Sequence, residues 1–225
     1  MSERVVGPRA GTGERAGHGR RIVVLDYGSG NLRSAERALA HAGADVTVTA
    51  DLAAAAEADG LVVPGVGAYA ACMAGIEASG AGPVIAERIA AGRPVLGICV
   101  GMQVLFEHGD EHGVVTKGLG LLPGGVTRLP ADRLPHMGWN TVTPPDGSVL
   151  FAGLPADSRF YFVHSYGVLD RQALTGAGVR VTTAHHGTDF VAAVERGPLS
   201  AAQFHPEKSA ETGSVLLRNW LATVD

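Results

Sequence analysis

One cysteine and a later histidine–glutamate pair have the side chains that nucleophilic catalysis requires. Cys99 lies between Gly97 and Gly101 after an apolar run, and His205 and Glu207 are separated by one proline. A thiol becomes a strong nucleophile when a histidine takes its proton and a carboxylate fixes the tautomer of that histidine. These residues therefore predict a catalytic triad whose members meet in the folded chain, although they lie far apart in sequence.

The glycines beside Cys99 indicate a sharp turn from a strand at residues 94–98 into a helix at 100–108. Such a turn presents one side chain at the carboxyl end of the strand, and glycine lets neighbouring backbone approach without a clash. The helix N-terminus stabilises a thiolate, and its first N–H group, that of Val100, can bind an oxyanion. A buried, unreactive thiol is the alternative, and we keep it for Cys72, which lies in an alanine-rich stretch.

The spacing of His205 and Glu207 predicts which way their side chains point. On an extended segment, residues two positions apart lie on the same side of the backbone. His205 could then take the proton of Cys99 and give it to a leaving amine, while Glu207 stabilises the imidazolium. The alternative is a surface ion pair of little energetic value, because His205 is one of nine histidines.

The first half of the chain alternates between strand-like and helix-like stretches, which predicts a parallel sheet covered by helices. Asp51 is placed to cap an alanine-rich helix that follows it. Strands are predicted at residues 21–27, 46–49, 61–63 and 94–98, and helices at 31–42, 69–79, 83–91 and 100–108.

From about Gly113, strand candidates follow one another, which favours antiparallel or mixed pairing at one side of the sheet. A closing helix is predicted at residues 209–224, with Ser209 as its N-cap. We expect an α/β fold: a single domain at 21–225 with a central mixed, mostly parallel sheet flanked by helices, after a disordered tail at 1–20. The later strand candidates cover residues 126–129, 140–143, 159–169, 179–184, 190–195 and 201–204.

Composition narrows the class of protein. Of the 225 residues, 46% are hydrophobic and 18% are charged, which is enough for one large core. A net charge of −4 argues against nucleic acid as a main partner. The chain has only two cysteines, which argues against a disulfide framework and favours a reducing compartment such as the cytoplasm. No apolar run approaches the ~20 residues of a membrane helix, and residues 1–20 lack the apolar stretch of a secretory signal.

The segments Gly97-x-Cys99-x-Gly101 and His205-Pro206-Glu207 resemble the two signatures of triad-type, class I glutamine amidotransferases. Within that class, the chain from about residue 21 to 224 is similar to the glutaminase subunits of imidazole glycerol phosphate synthases. Relatives that serve anthranilate, GMP or carbamoyl phosphate synthesis usually carry a second glycine where this chain has Val66. The narrower resemblance rests on Asp26-Tyr27-Gly28-Ser29-Gly30-Asn31, Pro64-Gly65-Val66-Gly67-Ala68, Pro135-His136-Met137-Gly138-Trp139-Asn140 and Tyr161-Phe162-Val163-His164-Ser165-Tyr166.

The resemblance implies that Cys99 attacks the side-chain amide of glutamine, that ammonia leaves from a thioester, and that water then releases glutamate. Taken alone, Gln103 could be an ordinary polar residue, Glu111 a solvated charge and His164 a structural side chain. The oxyanion hole is implied to comprise Val100, Gly65, Val66 and Gly67. The glutamine-binding residues are implied to be Gln103, Glu111, His164, Ser165 and Tyr166.

The resemblance also implies a heterodimer with a (β/α)₈-barrel cyclase subunit. That subunit uses the ammonia to make imidazole glycerol phosphate and an aminoimidazole carboxamide ribotide in histidine synthesis. Neither a metal nor an organic cofactor is implied, and the sequence has no phosphate-binding Gly-x-x-x-x-Gly-Lys segment. A glutaminase for another synthase, a γ-glutamyl peptide hydrolase and a non-catalytic module on the same fold stay open as alternatives. The implied interface residues are Asn31, Trp139, Asn140 and Lys208.

Overall fold

Strands and helices alternate through the first half of the computed structural model, which describes residues 19–224. The disordered tail expected at residues 1–20 therefore falls almost entirely outside the described residues, as does Asp225. In chain order the elements are β1 (Arg21–Leu25), α1 (Leu32–His41), β2 (Asp45–Thr49), α2 (Leu52–Glu57), β3 (Gly60–Gly65), α3 (Tyr69–Ser79), α4 (Ala81–Ala90), β4 (Val95–Cys99), α5 (Val100–Gln103), β5 (Phe106–Glu111), β6 (Val114–Lys117), β7 (Leu122–Arg128), β8 (His136–Thr141), β9 (Arg159–His164), β10 (Tyr166–Val168), α6 (Arg171–Gly176), β11 (Arg180–His186), β12 (Thr188–Arg196), β13 (Leu199–Ala202) and α7 (Ala210–Leu221).

Seven strands form the main sheet, in the order β11-β12-β13-β4-β3-β1-β2. Neighbouring strands from β2 across to β13 pair in parallel, whereas β11, β12 and β13 pair antiparallel with one another. Every residue of β3 and β4 is buried, as expected of central parallel strands. The predicted mixed, mostly parallel sheet is therefore confirmed, with its antiparallel part at one side.

The helices predicted before Cys99 are confirmed, and their ends follow local chemistry. The carboxylate of Asp51 accepts hydrogen bonds from the N–H groups of Ala53 and Ala54, at 2.8 and 3.3 Å, and so caps α2. Gly80 separates α3 from α4 with a φ of 72°, a left-handed conformation that favours glycine. Within residues 19–224, no helix is long and apolar enough to cross a membrane.

The helix predicted at residues 100–108 is wrong in its length. α5 ends at Gln103, and Phe106 begins β5, which pairs in parallel with β7 and antiparallel with β6. Together with β10, these strands form a second, four-stranded sheet. Phe106 pairs with Leu122 of β7 and is completely buried, and this long-range packing outweighs the helical preference of the local sequence.

The strand predicted at residues 159–169 is two strands in different sheets. β9 pairs antiparallel with β8 in a two-stranded sheet, whereas β10 pairs with β7. The change of partner falls at Ser165, whose carbonyl accepts a hydrogen bond from the Leu129 N–H at 2.9 Å. Neither β6 nor α6 is predicted from the sequence, because both are short and lack a clear hydrophobic period.

The segment that carries His205 and Glu207 is not extended throughout, contrary to expectation. Pro206–Lys208 form a single 3₁₀ turn with proline at its first position, where a missing N–H removes no helical bond. Ser209 precedes α7, but its hydroxyl does not cap the helix. Instead it donates to the His205 carbonyl at 2.6 Å and accepts from the Tyr161 N–H at 2.9 Å, which ties the turn to β9.

Candidate active site

β4 ends at Cys99 in a strained turn, because the next residue already begins α5. Cys99 has φ 55° and ψ −115°, a combination that L residues rarely adopt. A Cβ at Gly101 would collide with the Val63 carbonyl of β3, and a Cβ at Gly97 would collide with the Gly101 carbonyl. The chain therefore makes the predicted turn only because both flanking residues are glycine.

His205 and Glu207 follow β13, the parallel neighbour of β4, so the sheet carries them to the same edge as Cys99. His205 Nδ1 lies 2.7 Å from Glu207 Oε1, and both side chains are almost fully buried. The His205 N–H also donates to the Tyr161 carbonyl at 2.9 Å, which holds this segment against β9. The structure thus brings together the three residues predicted to form a triad.

The contacts of His205 determine its charge. Burial by itself lowers the pKa of the imidazole, but hydrogen bonds with Cys99 and Glu207 and the charges of both groups outweigh burial and raise the pKa to about 9. Because Nδ1 faces Glu207, Nε2 is the nitrogen that faces the thiol. The pair can therefore hold a proton between sulfur and imidazole, as a thiol nucleophile requires.

A cavity of about 290 Å³ opens beside the thiol. Gly65, the fourth residue predicted for the oxyanion hole, does not line this cavity, but it pairs with Cys99 between β3 and β4. In the part of the chain that the structure describes, no cluster of three or more His, Cys, Asp and Glu side chains could hold a metal ion. The walls of the cavity include all five residues predicted to bind glutamine, Gln103, Glu111, His164, Ser165 and Tyr166, and three predicted for the oxyanion hole, Val66, Gly67 and Val100.

Two residues of the cavity wall, Gln103 and Glu111, use one polar end of the side chain in hydrogen bonds within the protein. Glu111 Oε2 accepts from the Tyr69 N–H at 2.9 Å, at the start of α3, which has no side-chain cap of its own. Gln103 Nε2 donates to the Tyr166 carbonyl at 3.0 Å and to Gln203 Oε1 at 2.8 Å. Among the described residues, neither Gln103 Oε1 nor Glu111 Oε1 has a hydrogen-bond partner, so both can accept from a ligand.

The loop at residues 64–67 holds its second candidate donor away from a ligand. The Val66 N–H donates to Ser29 Oγ at 3.0 Å, and the Val66 carbonyl accepts from the Cys72 thiol at 3.4 Å. The Val100 N–H, in contrast, belongs to the first turn of α5, where no helical acceptor exists. Sequence reasoning gives Cys72 only a packing role and does not single out Ser29, because these contacts cross between distant segments.

Two of the four residues predicted at a partner interface lie on one exposed surface. Trp139 is 51% exposed on β8, and Met137, two positions earlier on the same face, is 67% exposed. Lys208 is exposed, and its Nζ lies 6.0 Å from the centre of the Tyr161 ring, which packs edge-on against Trp139. We call Met137, Trp139, Tyr161 and Lys208 the β8 surface. Exposed Trp and Met are typical of a protein-binding surface.

The other two predicted interface residues use their side-chain amides inside the chain. Asn31 Nδ2 donates to Glu207 Oε1 at 2.6 Å. Asn140 Nδ2 lies 3.2 Å from His136 Nε2 and also donates to the His185 carbonyl at 2.9 Å. Sequence reasoning does not assign His136 a role of its own, although it lies in one of the segments that carry the resemblance.

Comparison with known proteins agrees with this geometry. The family model of class-I glutamine amidotransferases matches residues 23–224. The imidazole glycerol phosphate synthase subunit HisH of Nocardia farcinica is 62% identical over 89% of this chain and 96% of its own length. The HisH subunit of Thermobifida fusca is 60% identical over 91% of this chain and 99% of its own.

Solved structures share the fold at low identity. The glutaminase domain of Trypanosoma brucei CTPS has a TM-score of 0.66 and 17% identity, and covers 91% of this chain and 93% of its own. PurLQS from Thermotoga maritima has a TM-score of 0.69 and 19% identity, and covers 92% of this chain and all of its own.

A largely parallel sheet that carries a strained cysteine and a buried His–Glu pair to one cavity defines, with the family match, a class I glutamine amidotransferase. Relatives at about 60% identity narrow the class further. The chain belongs to the family of HisH, the imidazole glycerol phosphate synthase subunit. The prediction of a glutaminase subunit of this synthase, acting in histidine biosynthesis, is confirmed at the level of the family.

Proposed function

We propose that the chain hydrolyses glutamine at Cys99 and passes the ammonia to a cyclase subunit bound at the β8 surface. One observation carries the proposal: Cys99 and His205 line the same cavity, and the buried Glu207 bonds His205 Nδ1. Gln103 and Glu111 also line the cavity, and each has a side-chain oxygen without a partner among residues 19–224. A nucleophile, a base and ligand-binding groups therefore share one site.

In the first half of the reaction, the Cys99 sulfur attacks the side-chain amide carbon of glutamine and forms a C–S bond. The proton that the sulfur and the imidazole share stays on His205 Nε2 during the attack, while Glu207 keeps Nδ1 protonated and stabilises the imidazolium. His205 then gives its Nε2 proton to the amide nitrogen. The C–N bond breaks, ammonia leaves and a thioester remains on Cys99.

In the second half, His205 takes a proton from a water molecule whose oxygen attacks the thioester carbon. The tetrahedral intermediate collapses, the C–S bond breaks, and the proton on Nε2 returns to the sulfur as glutamate leaves. The buried position of His205 and Glu207 keeps the pair in one geometry through both halves.

The oxyanion of each tetrahedral intermediate needs donors where negative charge develops, and one such donor is worth about 2.7–4 kcal/mol in comparable enzymes. The Val100 N–H supplies one donor. The Val66 N–H supplies the second only after it leaves Ser29 Oγ, which requires the peptide between Gly65 and Val66 to rotate, and glycine at position 65 gives that peptide wide backbone freedom. We therefore assign the structure to a resting form of low activity.

For substrate binding, Glu111 Oε1 pairs with the α-ammonium group of glutamine, because a carboxylate makes the stronger bond to a cation. Gln103 Oε1 accepts a second N–H of the ligand. His164, Ser165 and Tyr166 line the same cavity.

The partner is a (β/α)₈-barrel cyclase subunit that forms a heterodimer through the β8 surface. An exposed Trp and Met supply apolar contact area, and Lys208 supplies a charge for a partner carboxylate. Enclosure between the subunits protects ammonia from release into water. The cyclase joins the ammonia to a phosphoribulosyl-formimino carboxamide nucleotide, which yields imidazole glycerol phosphate and an aminoimidazole carboxamide ribotide. The proposed compartment is the cytoplasm.

The experiment measures glutamate release from glutamine by the chain alone, and then with a cyclase subunit and its nucleotide ligand. We expect little release alone and strong release in the complex, abolished by Cys99→Ala. Equal activity with and without the partner would instead identify an independent hydrolase. Complete inactivity of the complex would identify a binding module and overturn the proposal.

A further inference from the structure

A chain of hydrogen bonds runs from β8 to the wall of the glutamine cavity. Asn140 Nδ2 lies 3.2 Å from His136 Nε2, and His136 Nδ1 lies 3.0 Å from His164 Nε2. His164 Nδ1 lies 2.8 Å from the Tyr166 carbonyl oxygen. We call these four residues the histidine relay.

The tautomer of each imidazole in the relay follows from the carbonyl at its end. The Tyr166 oxygen can only accept, so His164 Nδ1 carries a proton and, in the neutral ring, His164 Nε2 accepts. His136 Nδ1 must then donate to His164, and His136 Nε2 must accept from Asn140. The Asn140 amide satisfies this requirement, since its second N–H donates to the His185 carbonyl at 2.9 Å.

The same carbonyl fixes a second chain that ends at the nucleophile. Gln103 must present its amide N–H to Tyr166, and its other N–H meets Gln203 Oε1 at 2.8 Å. Gln203 therefore turns its own amide nitrogen toward Cys99, with Nε2 3.8 Å from Sγ. Because an N–H directed at sulfur favours the thiolate, the orientation of two amides affects the nucleophile.

Burial makes these orientations durable. His136, His164, Gln103 and Gln203 are each at most 7% exposed. Burial lowers the pKa of His136 to about 4 and that of His164 to about 3, so both rings are neutral near pH 7. The His136 ring also stacks on Phe162 with a centroid separation of 4.7 Å, which restrains its plane.

We propose that His136 is a positioning residue for the glutaminase reaction. It acts through His164 and the Tyr166 carbonyl to orient the Gln103 amide, and through Gln103 the Gln203 amide that faces Cys99. The inference rests on the proposed function for its kinetic consequence only. The outer end of the relay, Asn140, lies one position from Trp139, so the relay also links the β8 surface to the nucleophile. Without the His136 donor, His164 can exchange its tautomer, and the Tyr166 carbonyl then faces a lone pair instead of an N–H.

The first test compares His136→Phe, which keeps a flat ring and removes both hydrogen bonds, with His136→Asn, whose Nδ2 can replace the Nδ1 donor. His186→Phe is the matched control, because His186 also stacks on His136, at 4.3 Å, but its Nε2 bonds the Arg133 carbonyl outside the relay. In the complex with the cyclase, we expect kcat/KM for glutamine to fall about tenfold in His136→Phe, the effect of one buried hydrogen bond. His136→Asn should restore most of the lost kcat/KM, and His186→Phe should have the kcat/KM of the wild type.

The second test reads the relay directly and does not require turnover. Nitrogen NMR of ¹⁵N-histidine in the wild-type chain should show His136 and His164 protonated at Nδ1, and His186 protonated at Nε2. Alkylation of Cys99 by iodoacetamide should slow in His136→Phe and recover in His136→Asn. Asn140→Ala, at a partly exposed site, serves if His136→Phe fails to fold, and should slow alkylation in the same direction.

The outcomes separate the two proposals. An inactive wild-type complex that shows the expected tautomers and alkylation rates overturns the proposed function and leaves the relay supported. An active wild type, with His136→Phe or Asn140→Ala indistinguishable from His186→Phe in rate and alkylation, overturns the relay. An NMR spectrum that shows His164 protonated at Nε2 would also overturn the relay.

Discussion

Asn31 donates its side-chain amide to Glu207 Oε1 at 2.6 Å, which places a residue of the α1 N-terminus directly behind the proposed triad. The same oxygen faces His205 Nδ1 at 2.7 Å, while Glu207 Oε2 is buried and has no partner among the described residues. Two donors on one oxygen therefore determine which side of the carboxylate the imidazole meets. Asn31 holds a φ of 68°, a left-handed conformation that asparagine tolerates better than most residues.

The first prediction concerns this contact. Asn31→Gly keeps the left-handed backbone without strain and removes the donor to Glu207. Because a hydrogen bond to a charged group is worth about 1.5–3 kcal/mol, we expect kcat for glutamine hydrolysis to fall roughly 10- to 100-fold. Asn31→Asp should lose more, since it sets a second carboxylate against the first. Steady-state kinetics of the complex measures both.

Arg33→Ala provides the control for these variants, because Arg33 lies on the same helix and its side chain is 80% exposed. Its ion pair with Glu36 is a surface pair of little energetic value. A wild-type rate in Asn31→Gly, with the protein folded, would mean that Glu207 holds its orientation without Asn31. A loss of partner affinity with unchanged kcat would return Asn31 to the interface role predicted from the sequence.

The second prediction concerns pH. The pKa of His205 is raised to about 9, above its ordinary value of about 6.5, so the charged ring stabilises the fold. This contribution is fully present below pH ~6.5 and is lost as the pH rises through about 9. NMR titration of the His205 ring should give a midpoint near 9 in the wild type and a lower one in Glu207→Gln. A midpoint at the ordinary value in the wild type would contradict the raised pKa.

Local chemistry explains how much of the site can be predicted from the sequence. The strained turn at Cys99 needs glycine two positions away on each side, at Gly97 and Gly101, so a short local motif predicts it. The fold class follows in the same way from alternating elements. The length of α5 cannot be predicted in this way, because β5 forms only by pairing with strands that come later in the chain.

Side-chain contacts between segments that are distant in sequence cannot be predicted from local patterns. The pairing of Asn31 with Glu207 depends on how α1 packs against the last 3₁₀ turn, and no spacing rule encodes it. Asn140 illustrates the same limit, since its amide faces inward to His136 although its strand lies at a surface. The resemblance could mark these positions as important, but only the folded chain assigns each side chain a partner.

The third prediction concerns the Val66 peptide. Ser29→Ala removes the acceptor that holds the Val66 N–H, and a net hydrogen bond of about 1 kcal/mol corresponds to roughly a fivefold change in population. We therefore expect glutaminase activity without the partner to rise roughly fivefold, with little change in the complex. Ser29→Thr keeps the hydroxyl and should behave as wild type. An unchanged partner-free rate in Ser29→Ala would show that Ser29 does not hold the loop in its resting form.

The last prediction concerns the β8 surface. Trp139 is 51% exposed and packs on Tyr161, so it offers a large, rigid contact area beside Lys208. Buried tryptophans at interfaces commonly contribute about 2 kcal/mol or more, so Trp139→Ala should raise the Kd for the cyclase at least about 30-fold. Val149→Ala removes an apolar side chain of 41% exposure that is not one of the residues of the β8 surface, and it should leave the Kd unchanged. Isothermal titration calorimetry measures both, and partner-free activity should be the same in each variant because neither residue lines the cavity. Equal affinities for the two variants would place the cyclase on another face of the chain.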